Sequence, residues 1–219
     1  MALLDHPHVE TIGAAMLAIL QHVGHQRFAS RFYLAGGTAL ALQIGHRTSV
    51  DLDFFSETDE LRDKSRAEII SVMASLNPSV ITDHVGSLLF SVQDISTGFF
   101  GYGYPLVGQS VEFEGVTLAS PMDIGMMKLD ALISRASRKD FYDLYFIAQS
   151  NPIDSLLKLG RAKYPFARDF ELEAVESLTF FENADTESQP DLLIPVEWEG
   201  VKEFFVDQAK ALRQKWYGF

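Results

Sequence analysis

Apolar residues recur along the chain with two different periods, and these separate predicted helices from predicted strands. From Val9 to Val23 the apolar positions are three and four apart, which predicts an amphipathic helix. Phe32 to Ala35 is a short apolar run that predicts a buried strand, and Gly36–Gly37 ends it. The residues that follow, Thr38 to Ile44, are predicted to form a helix with Thr38 near its cap.

Further strands and one polar helix are expected before residue 120. The helix opens at Ser56 or Thr58 and runs to about Met73. The strand segments are rich in Val, Phe and Tyr, and a Glu-Gly pair between the last two predicts a hairpin. These predicted strands are Val50–Phe55, Ser87–Val92, Gly98–Val107, Val111–Phe113 and Val116–Leu118.

The pattern changes to a helical one from Pro121 onward. A polar stretch from Glu182 to Pro190 is expected to be a loop. We therefore predict an α+β fold, with a mixed α/β core over residues 1–120 and a helical region over residues 121–219 packed on it. The predicted helices of this second region are Pro121–Ser134, Lys139–Gln149, Pro152–Leu159, Asp169–Leu178 and Val201–Trp216.

Composition narrows the class of protein. The 219 residues are 47% hydrophobic and 22% charged, which is typical of a globular protein. The chain has no cysteine, which excludes disulfides and thiolate–zinc sites, and no two histidines have zinc-site spacing. The formal net charge of −12 argues against general binding of nucleic acid. We see neither a signal peptide nor a membrane span, and we expect a cytoplasmic protein.

The glycine pair has the features of a phosphate-binding turn. It joins a predicted strand to a predicted helix, so backbone N–H groups of Gly36 and Gly37 can approach an anion without hindrance from a side chain. The helix N-terminus adds a favourable dipole, and Thr38 can add a hydroxyl. Taken alone, the same pattern is also that of an ordinary turn.

Two carboxylates follow on the next predicted strand. Asp51 and Asp53 are two residues apart, so their side chains share one face of the strand. Such a pair suits Mg²⁺, which also binds triphosphate oxygens. Solvated aspartates on an edge strand are the alternative, but the apolar neighbours Leu52, Phe54 and Phe55 indicate a partly buried strand on which charged groups need partners.

Two longer segments carry a resemblance to a known family. They are residues 34–55, LAGGTALALQIGHRTSVDLDFF, and residues 118–146, LASPMDIGMMKLDALISRASRKDFYDLYF. Together they closely resemble the AbiEii/AbiGii family of nucleotidyltransferase-like toxins, within the DNA-polymerase-β-like superfamily. The resemblance covers roughly residues 30–150.

The resemblance implies both a fold and an activity. The fold would be a nucleotidyltransferase-like mixed sheet with flanking helices. The activity would be transfer of a nucleotidyl group from an NTP, with Mg²⁺, to a tRNA or a protein. Such a protein would be the toxin of a toxin–antitoxin or abortive-infection pair, with a cognate antitoxin as a possible partner.

Further site residues depend on this resemblance. From the residues alone, Lys128 either meets a triphosphate or is a solvated helix lysine, and it shares a helix face with Arg135. Asp140 either orders a base, a metal or Lys128, or simply favours the helix start. The resemblance implies functional roles for Lys128 and Asp140, and likewise for Ser49 and Asp51. Arg47 could touch phosphate or pair with an aspartate, and Asp143 is a weaker candidate.

One position departs from the family pattern. Many members carry a third metal-binding carboxylate on the next strand, where this chain has Gly98. Asp94 could replace it, and Glu112 or Glu114 are weaker options. If none does, the alternative function is a nucleotide-binding or partner-binding module. A phosphotransferase is a third possibility.

Aromatic residues follow the position of Gly98 closely. The run Phe99, Phe100, Tyr102 and Tyr104 could stack a base. We interpret it as core of the sheet, because aromatic residues favour strands.

Overall fold

The computed structural model describes residues 1–217. Its α-helices are α1 Ala14–Gly24, α2 Gly36–Ile44, α3 Asp63–Met73, α4 Pro121–Ser134, α5 Arg138–Ala148, α6 Ile153–Lys163, α7 Phe170–Ser177, α8 Glu182–Thr186 and α9 Trp198–Tyr217. Its strands are β1 Ala2–Leu3, β2 Tyr33–Leu34, β3 Asp51–Ser56, β4 Ser79–His84, β5 Ser87–Val92, β6 Ile95–Gly101, β7 Val111–Phe113 and β8 Val116–Leu118.

The strands of residues 1–217 form one mixed sheet of eight, in the order β1-β7-β8-β2-β3-β6-β5-β4. The central strand β3 runs antiparallel to β2 and parallel to β6. The β5–β6 and β7–β8 pairs are antiparallel hairpins. This mixed sheet with flanking helices confirms the predicted fold class.

The chain divides into two compact units, Met1–Ser120 and Pro121–Phe219. The first unit holds all eight strands described and helices α1 to α3. Its core is aromatic: the ring centroid of Phe99 lies 4.9 to 6.3 Å from those of four other phenyl rings, namely Phe28, Phe32, Phe54 and Phe90. The second unit is helical and has its own aromatic cluster around Phe141. No helix among residues 1–217 is long and apolar enough to cross a bilayer.

Most predicted elements of the first unit are present, with shifted ends. The helix predicted over residues 9–23 is a 3₁₀ turn at Val9–Thr11 followed by α1. The strand predicted over Gly98–Val107 is β6, which ends at Gly101. The polar helix predicted from Ser56 or Thr58 begins only at Asp63, because Ser56 belongs to β3 and accepts hydrogen bonds from the turn that follows.

Three elements were not predicted or were predicted wrongly. Strand β4 has mostly exposed residues, so it shows no alternation of buried and exposed positions. Strand β1 has only two residues, both exposed. The loop predicted over Glu182–Pro190 is wrong at its start, where the polar segment forms the short helix α8 around the buried Ala184.

Candidate active site

Strand β3 places two carboxylates on one face of the sheet. Along the strand Asp51, Asp53 and Phe55 are half-buried, whereas Leu52 and Phe54 are fully buried on the other face. The alternation follows from the two-residue period of a strand. Both aspartates pair with β6, Asp51 with Ser96 and Asp53 with Gly98, and on the other side the carbonyl of Asp53 accepts from the Ala35 N–H. The predicted pairing of the two side chains on one face is therefore present.

The start of helix α2 lies directly beside Asp53. Gly36 has φ +67°, a left-handed value that only glycine adopts without strain, and a Cβ at this position would lie 3.3 Å from Asp53 Oδ2. The backbone N–H of Ala35 donates to the Asp53 carbonyl at 3.1 Å, which fixes the turn against the strand. The first N–H groups of the helix and a carboxylate of β3 thus share one small region.

Thr38 lies inside helix α2 and is not its cap, because the cap position is Ala35. The hydroxyl of Thr38 is buried and donates to the backbone carbonyl of Asp51. It is also hydrogen-bonded to the Ser49 hydroxyl at 2.8 Å. A hydroxyl has one proton to give, so Ser49 donates in this second contact. Both hydroxyls hold the start of β3 against α2, and a direct role in binding phosphate stays a prediction.

Arg47 is a buried cation at the same turn, with only 5% of its surface exposed. Its guanidinium lies against the backbone of Gly37, where a Cβ would come within 2.1 Å of Arg47 Nη2. Its Nη1 donates to the Thr48 carbonyl at 2.8 Å. The second glycine of the pair therefore makes room for a side chain of the protein itself, which the sequence did not reveal.

The donor set on β3 suits Mg²⁺ as a partner of bound nucleotide. Mg²⁺ is commonly held by one or two carboxylates together with substrate phosphates, which is what Asp51 and Asp53 can provide. Within residues 1–217, no three His, Cys, Asp or Glu side chains come together as a metal site. Asp94 is exposed in the β5–β6 turn, and Glu112 and Glu114 belong to the β7–β8 hairpin.

The second unit contains a buried cluster of charges. Lys128 Nζ lies 2.8 Å from Asp140 Oδ1 and 2.6 Å from Asp143 Oδ2. Both aspartate side chains are fully buried, three residues apart on α5, and the lysine on α4 is almost so. Arg135, the residue directly after α4, donates to both oxygens of Asp140 at 2.8 and 3.0 Å. Of the alternatives for Asp140, the geometry supports the one in which it orders Lys128.

These contacts keep Lys128 and Asp140 ionised. Burial alone would lower the pKa of Lys128, but the carboxylates of Asp143 and Asp140 outweigh it, so the pKa is raised. Burial alone would raise the pKa of Asp140, but Lys128 and Arg135 outweigh it, so the pKa is lowered. The side chain of Arg135 is 58% exposed, which makes it the accessible cation of the cluster. Sequence reasoning paired Arg135 with Lys128 on a helix face but did not place it in the site.

Comparisons with known proteins agree on one family. The model of the family described as nucleotidyl transferase AbiEii toxin, type IV toxin–antitoxin system, matches residues 18–217. An uncharacterized protein of Aquifex aeolicus strain VF5 is 38% identical over 184 residues, covering 82% of this chain and 86% of the relative.

Solved structures share the fold at low identity. MenT4, a nucleotidyltransferase toxin of Mycobacterium tuberculosis, is 18% identical with a TM-score of 0.57, covering 92% of this chain and 86% of that one. JHP933 of Helicobacter pylori is 19% identical with a TM-score of 0.52, covering 92% and 90%.

Proposed function

This chain belongs to the AbiEii family of nucleotidyltransferase toxins, and we propose that it transfers a nucleotidyl group from an NTP to an RNA, such as tRNA, or to a protein. We further propose that the reaction requires Mg²⁺. One observation carries this proposal. Asp51 and Asp53 share a half-buried face of β3, and Asp53 lies against the glycine that opens α2.

In the proposed site, Asp51 and Asp53 hold the metal ion, and the N–H groups of Gly36 and Gly37 bind phosphate. Bound Mg²⁺ would supply the positive charge that neutralises the triphosphate. Thr38 and Ser49 support this arrangement through their contacts with each other and with the Asp51 backbone. Arg47 adds a buried positive charge next to Gly37.

We propose that the second unit contributes Lys128 and Asp140 to the active site. Lys128 is a charged ammonium whose contacts with Asp140 and Asp143 use two of its three N–H donors, which leaves one for a triphosphate oxygen. Asp140 holds Lys128 in place and binds Arg135 as well. In this proposal Asp140 is a positioning residue, since its own oxygens contact the two cations.

The family also supports a biological role as the toxin of a toxin–antitoxin or abortive-infection pair. Under this proposal a cognate antitoxin is the natural protein partner, and its absence allows the toxin to modify an acceptor that the cell needs. We place the reaction in the cytoplasm, because that is where NTPs and tRNA are available.

The test is transfer of label from each α-³²P-labelled NTP, with Mg²⁺, to tRNA or to proteins of a bacterial extract. Wild type is expected to label one acceptor class, and Asp51→Asn to reduce labelling to background, because it removes a metal ligand at almost unchanged volume. Asp207→Asn is the matched control, since that side chain is 76% exposed on α9. It should label like wild type.

A second measurement separates transfer from binding. Isothermal titration of each NTP, with and without Mg²⁺, should show Mg²⁺-dependent binding that Asp51→Asn loses. Full labelling by Asp51→Asn would refute the assignment of the metal site to β3. Binding without labelling of any acceptor would instead support the alternative of a nucleotide-binding module.

A further inference from the structure

The position of the missing third carboxylate is fixed by the register of two parallel strands. Asp53 of β3 pairs with Gly98 of β6, and Phe55 pairs with Phe100. Because side chains alternate along both strands, residues 98 and 100 point to the same face as Asp53 and Phe55. A carboxylate at residue 98 would therefore stand next to Asp53 on the face proposed to hold the metal ion.

That place is filled by an aromatic ring. A Cβ at Gly98 would lie 2.5 Å from both Cε2 and Cζ of Phe100, and 3.4 Å from Leu89 Cδ1. Contacts of 2.5 Å are far inside van der Waals distance, so no residue larger than glycine fits until the ring moves. The Phe100 ring thus lies folded back over Gly98.

Neighbouring rings hold Phe100 in this position. Its centroid is 5.3 Å from that of Phe55, which lies next to it in register. Phe55 in turn stacks on Tyr33 at 6.1 Å and meets the edge of Tyr102 at 5.3 Å. Moving Phe100 away from Gly98 therefore requires a change in a packed aromatic row.

We propose that Phe100 takes the place of the third carboxylate, so that the site holds a single divalent cation with the bound NTP. This rests on the proposed function. Two carboxylates and the triphosphate provide oxygen ligands for one ion at Asp51 and Asp53. On the Gly98 side a second ion would meet the carbons of Phe100 and Leu89, which cannot replace its lost hydration.

The test counts ions per nucleotide by equilibrium dialysis. The probe is Mn²⁺ with the α,β-methylene analogue of the NTP that binds most tightly, and the excess of each in the protein chamber is measured. Wild type and Phe100→Ala are expected to bind one Mn²⁺ per nucleotide. The double variant Gly98→Asp/Phe100→Ala is expected to bind two, because it supplies the carboxylate and removes the ring that blocks it.

The single variant Gly98→Asp is the matched control and is expected to bind one Mn²⁺ per nucleotide, since the ring still blocks the position. Circular dichroism and thermal unfolding establish that each variant is folded. Two Mn²⁺ in wild type or in Gly98→Asp alone, or one in a folded double variant, would overturn the inference. Nucleotide bound with no excess Mn²⁺ in wild type would instead refute the metal site of the proposed function.

Discussion

At the scale of single residues, the turn before α2 is packed around one buried guanidinium. Gly37 has no side chain, and the space where its Cβ would stand lies 2.1 Å from Arg47 Nη2 and 3.3 Å from Ser49 Oγ. The guanidinium is anchored to the Thr48 carbonyl and is almost inaccessible to water. The glycine is therefore needed for packing within the protein, whatever it also does for a ligand.

Gly37→Ala should consequently destabilise the protein by about 1–3 kcal/mol, because overpacking displaces a buried charged group. The measurement is the free energy of unfolding in urea. Gly200→Ala is the matched control, since this helical glycine of α9 has nothing within 4 Å of its Cβ position. It should stabilise the protein by up to about 1 kcal/mol through helix propensity. Equal effects of the two substitutions would contradict the packing argument.

At the scale of elements, α4 and α5 are joined by Lys128, which lies between the buried carboxylates of Asp140 and Asp143. Lys128→Met keeps the apolar stem but leaves Asp140 and Asp143 buried without their shared cation. The expected loss is about 3–5 kcal/mol in the free energy of unfolding, the usual cost of breaking a buried ion pair on one side. Lys210→Met, at a lysine that is 72% exposed, should change stability little.

The same cluster sets a pH dependence. The pKa of Asp140 is lower in the folded than in the unfolded chain, where it is about 4, so its contribution to stability is complete above that pH. The contribution is lost as the pH falls from there through the folded pKa. Removing Lys128 should raise the midpoint of acid unfolding followed by circular dichroism. An unchanged midpoint in Lys128→Met would show that the pair does not contribute.

The β5–β6 hairpin offers a test at the same scale. Its two turn residues, Gln93 and Asp94, both have positive φ, at +51° and +64°, a geometry that favours glycine at the second position. Asp94→Gly should raise the free energy of unfolding by about 0.5–1 kcal/mol, because relief of about 1–2 kcal/mol of strain exceeds the entropic cost of glycine.

Mn²⁺ binding in the presence of nucleotide should be unchanged in Asp94→Gly, since this carboxylate is exposed in the turn. Asp94→Ala is the matched variant that removes the same carboxylate but keeps the strain, so it should not gain stability. A loss of Mn²⁺ affinity in both variants would reveal Asp94 as a metal ligand.

Elements with a clear pattern of apolar residues could be predicted from the sequence, and elements without such a pattern could not. Strand β3 was predicted from its apolar and aromatic residues, and the two-residue period of a strand then predicted the shared face of Asp51 and Asp53. Strand β4 was missed because its exposed residues do not alternate. The aromatic run after Gly98 was only partly core, since Phe99 is fully buried while Phe100 lies on the opposite, half-buried face.

Contacts between residues that are far apart in the sequence were the second feature that could not be predicted from it. The departure at Gly98 was visible in the sequence, but the ring of Phe100 over it depends on a rotamer and on the register with Asp53. Likewise, Arg135 and Lys128 were expected to share a helix face, whereas their common contact with Asp140 depends on how α4 meets α5. Spacing gives a side chain's direction, and tertiary packing decides what it touches.

At the scale of the whole molecule, the net charge and the division into two units both bear on how NTP and RNA are proposed to bind. The net charge of −12 repels both NTP and RNA, so under the proposed function their binding is expected to rely on Mg²⁺ and on local cations such as Arg47 and Arg135. The proposed metal ligands and phosphate-binding glycines lie in Met1–Ser120, and the Lys128 cluster lies in Pro121–Phe219. The first unit is therefore expected to bind Mg²⁺ and NTP by itself, more weakly than the full chain, whereas transfer is expected to need both units.

A fragment of residues 1–120 tests this division. We expect it to fold, because it contains the whole described sheet and the aromatic core around Phe99. Titration should show Mg²⁺-dependent NTP binding that is weaker than in the full chain, and the labelling assay should show no transfer, because Lys128 and Asp140 are missing. The same fragment carrying Asp51→Asn is the control and should bind no NTP. An unfolded fragment would show that the two units fold as one domain, and transfer by the fragment would remove Lys128 and Asp140 from the proposed active site.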